Sequence, residues 1–422
     1  MRRARAARTG GAHGRRDDLA DAAGRRPAPG APTERSARTA DYPDPVRIVH
    51  VSDCFAPRTG GIESQVGDLA ARQAAQGHEV HVLTATLGDA GERGGVVDVE
   101  RGVHVHRLGA RLPFDLPVNP VAGPRLITRA LRSVRPDVVH VHAGVVSPFA
   151  YDGVRLAARA GLPTAVTWHC MLDGVVGPLR TSARVTRFPA GRLALSAVSA
   201  AAAEHVEAAF GQPVAVVPNG IDVAAWAPRP GRPDDEPGPV RLVSTMRLAP
   251  RKRAVPLVEL VADAADRVGH DRLRLDVIGS GPAAAAVEAA VRRRGLQDVV
   301  RLRGRLTRPE VRDAYDDADV FLAPAELEAF GIAALEARTA GLVVLARTGT
   351  GIASFVEDDV DGSLVGSDAA MTEAVVALVE DPARLARMRA HNRRVPPAFD
   401  WTDVLAGAEQ EYERARRLAP RG

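Results

Sequence analysis

Arg247 and Lys252 stand five residues apart in the run STMRLAPRKR (244–253). A short apolar stretch precedes them and a helical one follows. Two cations at a strand end beside a helix N-terminus suit a diphosphate, because the bases supply charge and the helix end supplies N–H donors. Lys252 is the only lysine in the chain. A compact ammonium works as a point charge where a planar guanidinium does not. Gly279 and Gly281 in VIGSGP (277–282) also lie between a strand and a helix. There glycine lets backbone approach a phosphate, although a lone G-x-G is often only a tight turn. Further on, PAELEAFGIAALEA (324–337) places Glu328 in a loop, Phe330-Gly331 at a helix start and Glu336 on the helix. A carboxylate accepts two hydrogen bonds at once, so the two acids can grip hydroxyls of one ligand. Two carboxylates would also serve a glycosidase, but these share a half of the chain with the phosphate-type cations. Earlier, Gly60-Gly61 opens a helix after a strand, and His140, His142 and His169 end strands. VPNGID (217–222) carries an ordinary turn signal at Asn219-Gly220.

These residues need a scaffold that gathers strand ends. VRIVHVS (46–52) reads as a buried strand, Ile62 to Gln76 as a helix and HEVHVLTA (78–85) as the next strand. Further strands are predicted near 103–107, 137–142, 163–168, 194–198 and 214–217, with helices over 119–134, 147–160 and 199–210. WAPRPGRPDDEPGP (226–239) is too rich in proline and glycine for either element and reads as a linker. A second alternating series follows. Its strands fall near 240–245, 273–278, 299–303, 319–323 and 342–346, its helices near 253–268, 282–294, 308–317 and 331–340, and a last helix occupies 399–417. Such alternation predicts two doubly wound α/β domains, 46–225 and 240–398, with ligands beyond the carboxyl ends of the strands.

Bulk properties narrow the function. The formal charge of +4 equals that of residues 1–45, where ten Arg face six acids, so the body is near neutral. That excludes nucleic acid as the main ligand, since backbone phosphates require a basic folded face. The Arg-rich, Gly/Pro-rich residues 1–45 read as a disordered tail. Cys54 and Cys170 fit neither a disulfide framework nor a zinc site, and a cytoplasmic setting is expected. No apolar run reaches the length of a membrane span. Within 124–136, Arg125, Arg129, Arg132 and Arg135 share one helical face opposite Leu126, Ile127, Ala130, Leu131 and Val134. This is the pattern of an ordinary Rossmann helix, and also of a peripheral contact with anionic lipid at the inner face of the membrane.

Taken in order, TGGIE, VVHVH, TWH, VPNGID, R…RK, IGSGP and E…FGI…E resemble glycosyltransferase family 4, retaining enzymes of the GT-B fold. The resemblance spans about residues 46–417. It implies two Rossmann-like parallel-sheet domains facing across a cleft, with the C-terminal helix (399–422) crossing back to the first. It implies transfer of a hexose from a nucleoside-diphosphate sugar, UDP- or GDP-linked, to a hydroxyl of a lipid, glycan or small molecule, with no cofactor and no metal. By similarity Glu336 holds the ribose and Glu328 lies beside the transferred sugar. Arg247 and Lys252 hold the diphosphate, the Gly60-Gly61 loop approaches it, and His169 touches the donor sugar. Gly279, Phe330, Gly331 and Ile332 complete the donor-binding set. Departures occur at Arg338, where the family often has Met, and at Ser354, where it often has Glu. The letters D-x-D at Asp359–Asp361 fall in a polar turn and read as a loop. A nucleotide-sugar epimerase, a phosphorylase or a non-catalytic sugar-nucleotide-binding protein would use the same fold.

Overall fold

The structure, a computed structural model, describes residues 45–58, 60–88, 91, 93–109, 122–229 and 238–420. Most of the expected tail (1–45) and of the linker (226–239) lies outside that set.

The first half contains β1 (Arg47–Ser52), α1 (Gly61–Ala75), β2 (Glu79–Thr84), β3 (Val96–Glu100), β4 (Val103–Arg107), α2 (Ala122–Val134), β5 (Val138–Ala143) and α3 (Pro148–Arg159). It continues through β6 (Thr164–Trp168), α4 (Val176–Val185), β7 (Ala194–Ala197), α5 (Ala200–Phe210), β8 (Ala215–Val216) and α6 (Val223–Trp226). Among the described residues these strands form one eight-stranded sheet in the order β3-β4-β2-β1-β5-β6-β7-β8. All pairs are parallel except β3 with β4. The edge strand β3 escapes the sequence pattern because Val96, Val97 and Val99 face solvent instead of a core.

The second half contains β9 (Val240–Thr245), α7 (Ala254–Val268), β10 (Leu273–Ile278), α8 (Ala284–Arg293), β11 (Val300–Gly304), α9 (Arg308–Asp316), β12 (Val320–Ala323) and α10 (Ile332–Thr339). After these come β13 (Val343–Arg347), β14 (Gly362–Val365), α11 (Asp368–Glu380), α12 (Pro382–Arg394) and α13 (Trp401–Leu418). The strands make a parallel six-stranded sheet ordered β11-β10-β9-β12-β13-β14. Thr307 and Glu310 cap α9 reciprocally, the start signal that T-R-P-E announces.

Both sheets reverse their winding at an inner strand pair, β1/β5 and β9/β12. Such a switch point leaves a crevice beyond the strand ends. The alternation of β1 sorts its side chains. Val49 and Val51 enter the core shared with α2, α3 and α5, while Ile48 joins α13 on the other face. Helix α13 does return to the first sheet, where Trp401, Val404, Leu405, Ala408 and Tyr412 pack on Ile48, Val138, Ala165 and Ala194. Trp401 explains Gly220, because a Cβ there would come within 2.6 Å of the indole. Arg72 also lies over that ring, 5.0 Å from its centroid.

Helix α2 buries Ile127, Ala130, Leu131 and Val134 in the core and exposes Arg125, Arg129 and Arg132, with Arg135 exposed just beyond its end. Its apolar face is therefore not free to enter a bilayer, and only the arginine face is presented outward. No described helix is long and apolar enough to cross a membrane.

Candidate active site

The loops after β9 and β12 leave the second sheet at its switch point, and they carry the chemistry. After β9, residues 246–249 form a strap, and a 3-10 turn (Pro250–Lys252) leads into α7. Backbone bonds from Met246 N to Ile278 O (3.0 Å) and Leu248 N to Ser280 O (2.9 Å) hold the strap against the 279–281 loop. The approach is close enough that a Cβ on Gly279 (φ +136°) would lie 1.9 Å from Met246 O. The Gly279 amide is itself donated to Gly304 O at 2.7 Å. Glycine is thus required here for backbone packing, and with its N–H already used, any contact of Gly279 with donor would come from its Cα or carbonyl.

Lys252 Nζ donates to Glu328 Oε2 at 2.5 Å, both side chains about one fifth exposed. The turn is anchored beneath them by Arg253 and Arg347, which share Glu326 and Asp368. Those four residues were not singled out in the sequence, since isolated charges in loops look like solvated surface. Arg247 is exposed on the strap.

Glu328 and α10 form one unit. Glu328 O accepts from Gly351 N at 2.8 Å, and its Cγ lies 3.4 Å from where a Cβ of Gly331 would stand. Gly331 caps α10 in the left-handed region (φ 89°), where Ile352 leaves no space for a side chain. The first N–H groups of a helix lack intrahelical partners, so those of α10 are the natural anion donors. The Phe330 side chain faces the core. It is 2% exposed and packs between Phe355 and Phe399, with centroids 5.5 and 5.6 Å away. The ring therefore supports the loop from beneath, and any part of Phe330 in the donor-binding set would be played by its backbone. Arg338, the departure from the family, is buried and bonds Asp361 at 2.8 Å and Val395 O at 2.7 Å. Asp361 of the D-x-D letters is thus a structural ion-pair partner.

The first sheet faces these loops. A Cβ on Gly61 would lie 3.3 Å from Ile332 Cδ1, which places the glycine pair against the start of α10. The Glu63 carboxylate folds back over Gly60, with Oε2 2.4 Å from the position of a Cβ there, and pairs with Arg58 at 3.2 Å. The protein's own acid therefore complements the positive end of α1 in this conformation. Farther along the crevice, Arg308 bridges the halves, 3.2 Å from Asp68 on α1 and 3.5 Å from Glu336 on α10. Burial pushes the Glu336 carboxyl up to about 7 despite that arginine. A cavity of about 760 Å³ opens here, between Phe55, Glu63 and Asp68 on one side and Arg305, Thr307 and Arg308 on the other. Another, of about 710 Å³, lies among Arg241, Arg274 and Arg301 on the second sheet and contains none of the candidate residues.

His169 follows β6 and lies next to Cys170, which feels the charge of Arg251 from the 3-10 turn of the second half. Burial pushes its imidazole down to about 4, so the ring is neutral near pH 7. Its Nε2 lies 3.0 Å from His142 Nδ1, and the Asn219 side chain also bonds the ring. Gln65 on α1 ties this corner to the rest through paired 2.9 Å bonds with Gly220. His50, His140 and His142 place ring nitrogens within 4.8 Å of one another, a spacing that would suit a metal ion. All six nitrogens are instead used in hydrogen bonds. Asn219, Arg308 and His50 were missed as site residues because their partners lie far away in sequence.

Two facing parallel sheets, with their switch points opposed across a crevice lined by cations, acids and a helix N-terminus, define a glycosyltransferase of the GT-B type. Solved structures share this fold. They include the Anabaena protein HepE in complex with UDP and glucose (TM-score 0.68, 17% identity, 87% of this chain and 100% of that one). WaaG, involved in lipopolysaccharide biosynthesis, gives a TM-score of 0.64 at 18% identity, over 87% and 99% of the two chains. The model of Glycosyltransferase Family 4 matches residues 59–225, and that of Glycosyl transferases group 1 matches 232–395. A D-inositol 3-phosphate glycosyltransferase of Kineococcus radiotolerans is 30% identical over 89% of this chain and 96% of its own length. One component of the Arabidopsis thaliana phosphatidylinositol N-acetylglucosaminyltransferase is 27% identical over 90% of this chain and 84% of its own length. The chain belongs to glycosyltransferase family 4, group 1 type, and is a glycosyltransferase. These relatives support transfer and give no support to the epimerase or non-catalytic reading.

Proposed function

We propose that the enzyme moves a hexose from a UDP- or GDP-sugar to a hydroxyl acceptor with retention of anomeric configuration, using no metal and no bound cofactor. The observation that carries this is the convergence of Lys252, Glu328 and the N-terminus of α10 at the second switch point, with Glu336 one turn along the same helix. Glu336 accepts the ribose hydroxyls. Arg247, Lys252 and the free amides of α10 take the diphosphate. As the anomeric bond breaks, charge grows on the departing phosphate, and fixed cations and dipoles stabilise it more in the transition state than before. Glu328 is salt-bridged by Lys252, which withdraws electron density from that carboxylate and weakens it as a nucleophile. Attack of the acceptor from the face the phosphate leaves is therefore favoured over a glycosyl–enzyme intermediate. His169, neutral, hydrogen bonds a sugar hydroxyl from the opposite wall.

The donor complexes of HepE support a nucleotide-sugar site in this fold. The names of the relatives include acceptors built on inositol, free or lipid-linked. For a lipid-linked acceptor, the exposed arginines of α2, with Arg135 just after it, supply contact with an anionic surface by charge alone.

A thermal-shift series with UDP, GDP and ADP tests the donor site, because a ligand of the native state raises its melting temperature. One of the three should shift it by several degrees. Absence of any shift at millimolar nucleotide would remove the proposal.

A further inference from the structure

Behind His169 runs a chain of buried polar groups that transfer does not by itself explain. His142 Nε2 lies 3.0 Å from His50 Nδ1, and His50 Nε2 lies 2.8 Å from Gln73 Oε1. The Gln73 amide nitrogen donates to Tyr412 Oη at 2.8 Å, and that oxygen lies 3.0 Å from His140 Nδ1. From His140 Nε2 the chain passes to Thr167 Oγ1 (2.8 Å), then Ser196 (2.8 Å), whose hydroxyl reaches Val166 O at 3.4 Å.

Each link allows one donor, and one amide sets them all. The Gln73 oxygen can only accept, so His50 carries its proton on Nε2. A neutral imidazole has one bare nitrogen, so His50 Nδ1 accepts, and His142 must donate from Nε2. His142 Nδ1 is then bare, and His169 must donate from Nε2. On the other side the Gln73 NH₂ makes Tyr412 the donor to His140, whose own proton then points at Thr167. Protons thus run in one direction from His169 to Val166 O. Turning the Gln73 amide over would reverse every link at once, and would cost the bond from Ser196 to Val166 O.

We propose that His142, His50 and Gln73 are positioning residues that hold His169 with its proton on Nε2, leaving Nδ1 as an obligate hydrogen-bond acceptor, met by the Asn219 side chain until a substrate hydroxyl takes its place. The inference rests on His169 facing the substrate, but the tautomer is measured without substrate. Its failure is thus separate from failure of the transferase reading. The chain also gives α13 a function beyond packing. Tyr412 is the hydroxyl that relays the chain from Gln73 to His140, so the returning helix helps hold the edge of a ring at the crevice.

The test is a two-bond 1H–15N correlation spectrum of the full chain with 15N-labelled histidine. His169 is assigned by the signals that disappear in His169→Asn. The expected pattern is a protonated Nε2 and a bare Nδ1, unchanged from pH 6 to 8. In Gln73→Leu the anchor is gone, so His169 should become a mixture of tautomers. Turnover should then fall roughly three- to tenfold, the worth of one hydrogen bond. Gln73→Glu keeps an acceptor for His50 and should restore both the pattern and the rate. A wild-type His169 protonated on Nδ1 overturns the proposal, and so does a folded Gln73→Leu with unchanged spectrum and turnover. Should Gln73→Leu fail to fold, the wild-type spectrum and Gln73→Glu still decide.

Discussion

Glu336→Gln separates the binding role of the buried carboxylate from its effect on stability. The native carboxyl is raised by burial to about 7, with Arg308 opposing the rise and Asp68 adding to it. If only the anion holds the ribose, the binding-competent fraction is about one tenth at pH 6 and about nine tenths at pH 8, for a group that titrates near 7. Nucleotide affinity should therefore weaken roughly tenfold from pH 8 to pH 6, or ~1.4 kcal/mol. In Glu336→Gln, whose side chain does not titrate, this part of the slope should vanish. Any slope that remains belongs to the nucleotide phosphate and to other groups. Stability should move the other way. A carboxyl whose native value lies above its unfolded one retains a proton that the unfolded chain releases, so stability falls as pH rises from about 4.5 to about 7 and stays lower above. That distance corresponds to an upper limit of ~3 kcal/mol. Glu336→Gln should thus melt higher than wild type at pH 8 while binding nucleotide more weakly. Calorimetric titration with the nucleotide that wins the thermal-shift series, at pH 6, 7 and 8, reads the first effect, and scanning calorimetry reads the second. Parallel pH slopes in wild type and Glu336→Gln would refute the reasoning.

Further outcomes follow from the same geometry. Lys252→Ala should lower turnover by roughly two orders of magnitude with a smaller change in donor KM, as expected for loss of one charge-stabilising group; wild-type turnover in a steady-state assay would remove it from the mechanism. Arg308→Ala removes the cation that favours the Glu336 anion, so the midpoint of nucleotide binding should move to higher pH in the same titrations. Gly279→Ala forces a Cβ to 1.9 Å from Met246 O at φ +136°, so it should both destabilise the fold, seen by thermal melting, and displace the Arg247 strap, seen as lost turnover. On anionic liposomes the protein should float at low salt and be released at high salt. Charge reversal of Arg125, Arg129 and Arg132 should abolish flotation, at ~1 kcal/mol for each base near the surface.

Much of this molecule is legible along the chain. The buried strands, the two α/β series and the last helix itself are local patterns of apolar spacing, which depend only on neighbours within a turn or a pleat, whereas the return of that helix to the first sheet was implied by the family resemblance alone. Lys252, Glu328, Gly331 and Glu336 could be chosen for the same reason: each stands at a strand end or helix start, where unpaired backbone and charge meet. What tertiary structure decided is which of these side chains were free to act. Phe330 was taken by two phenylalanines 25 and 69 residues further on, and the Gly279 amide by a neighbouring strand end. Arg308 gained significance only because Asp68, 240 positions earlier, lies across the crevice. The histidine chain joins β1, α1, β5, β6, β7 and α13 through bonded partners up to 339 positions apart. Its direction depends on one amide and on the backbone carbonyl, Val166 O, at which the chain ends. Hydrogen bonds act over about 3 Å, so partnerships of this kind have no signature in spacing and arise only when the folded sheet brings its strand ends together.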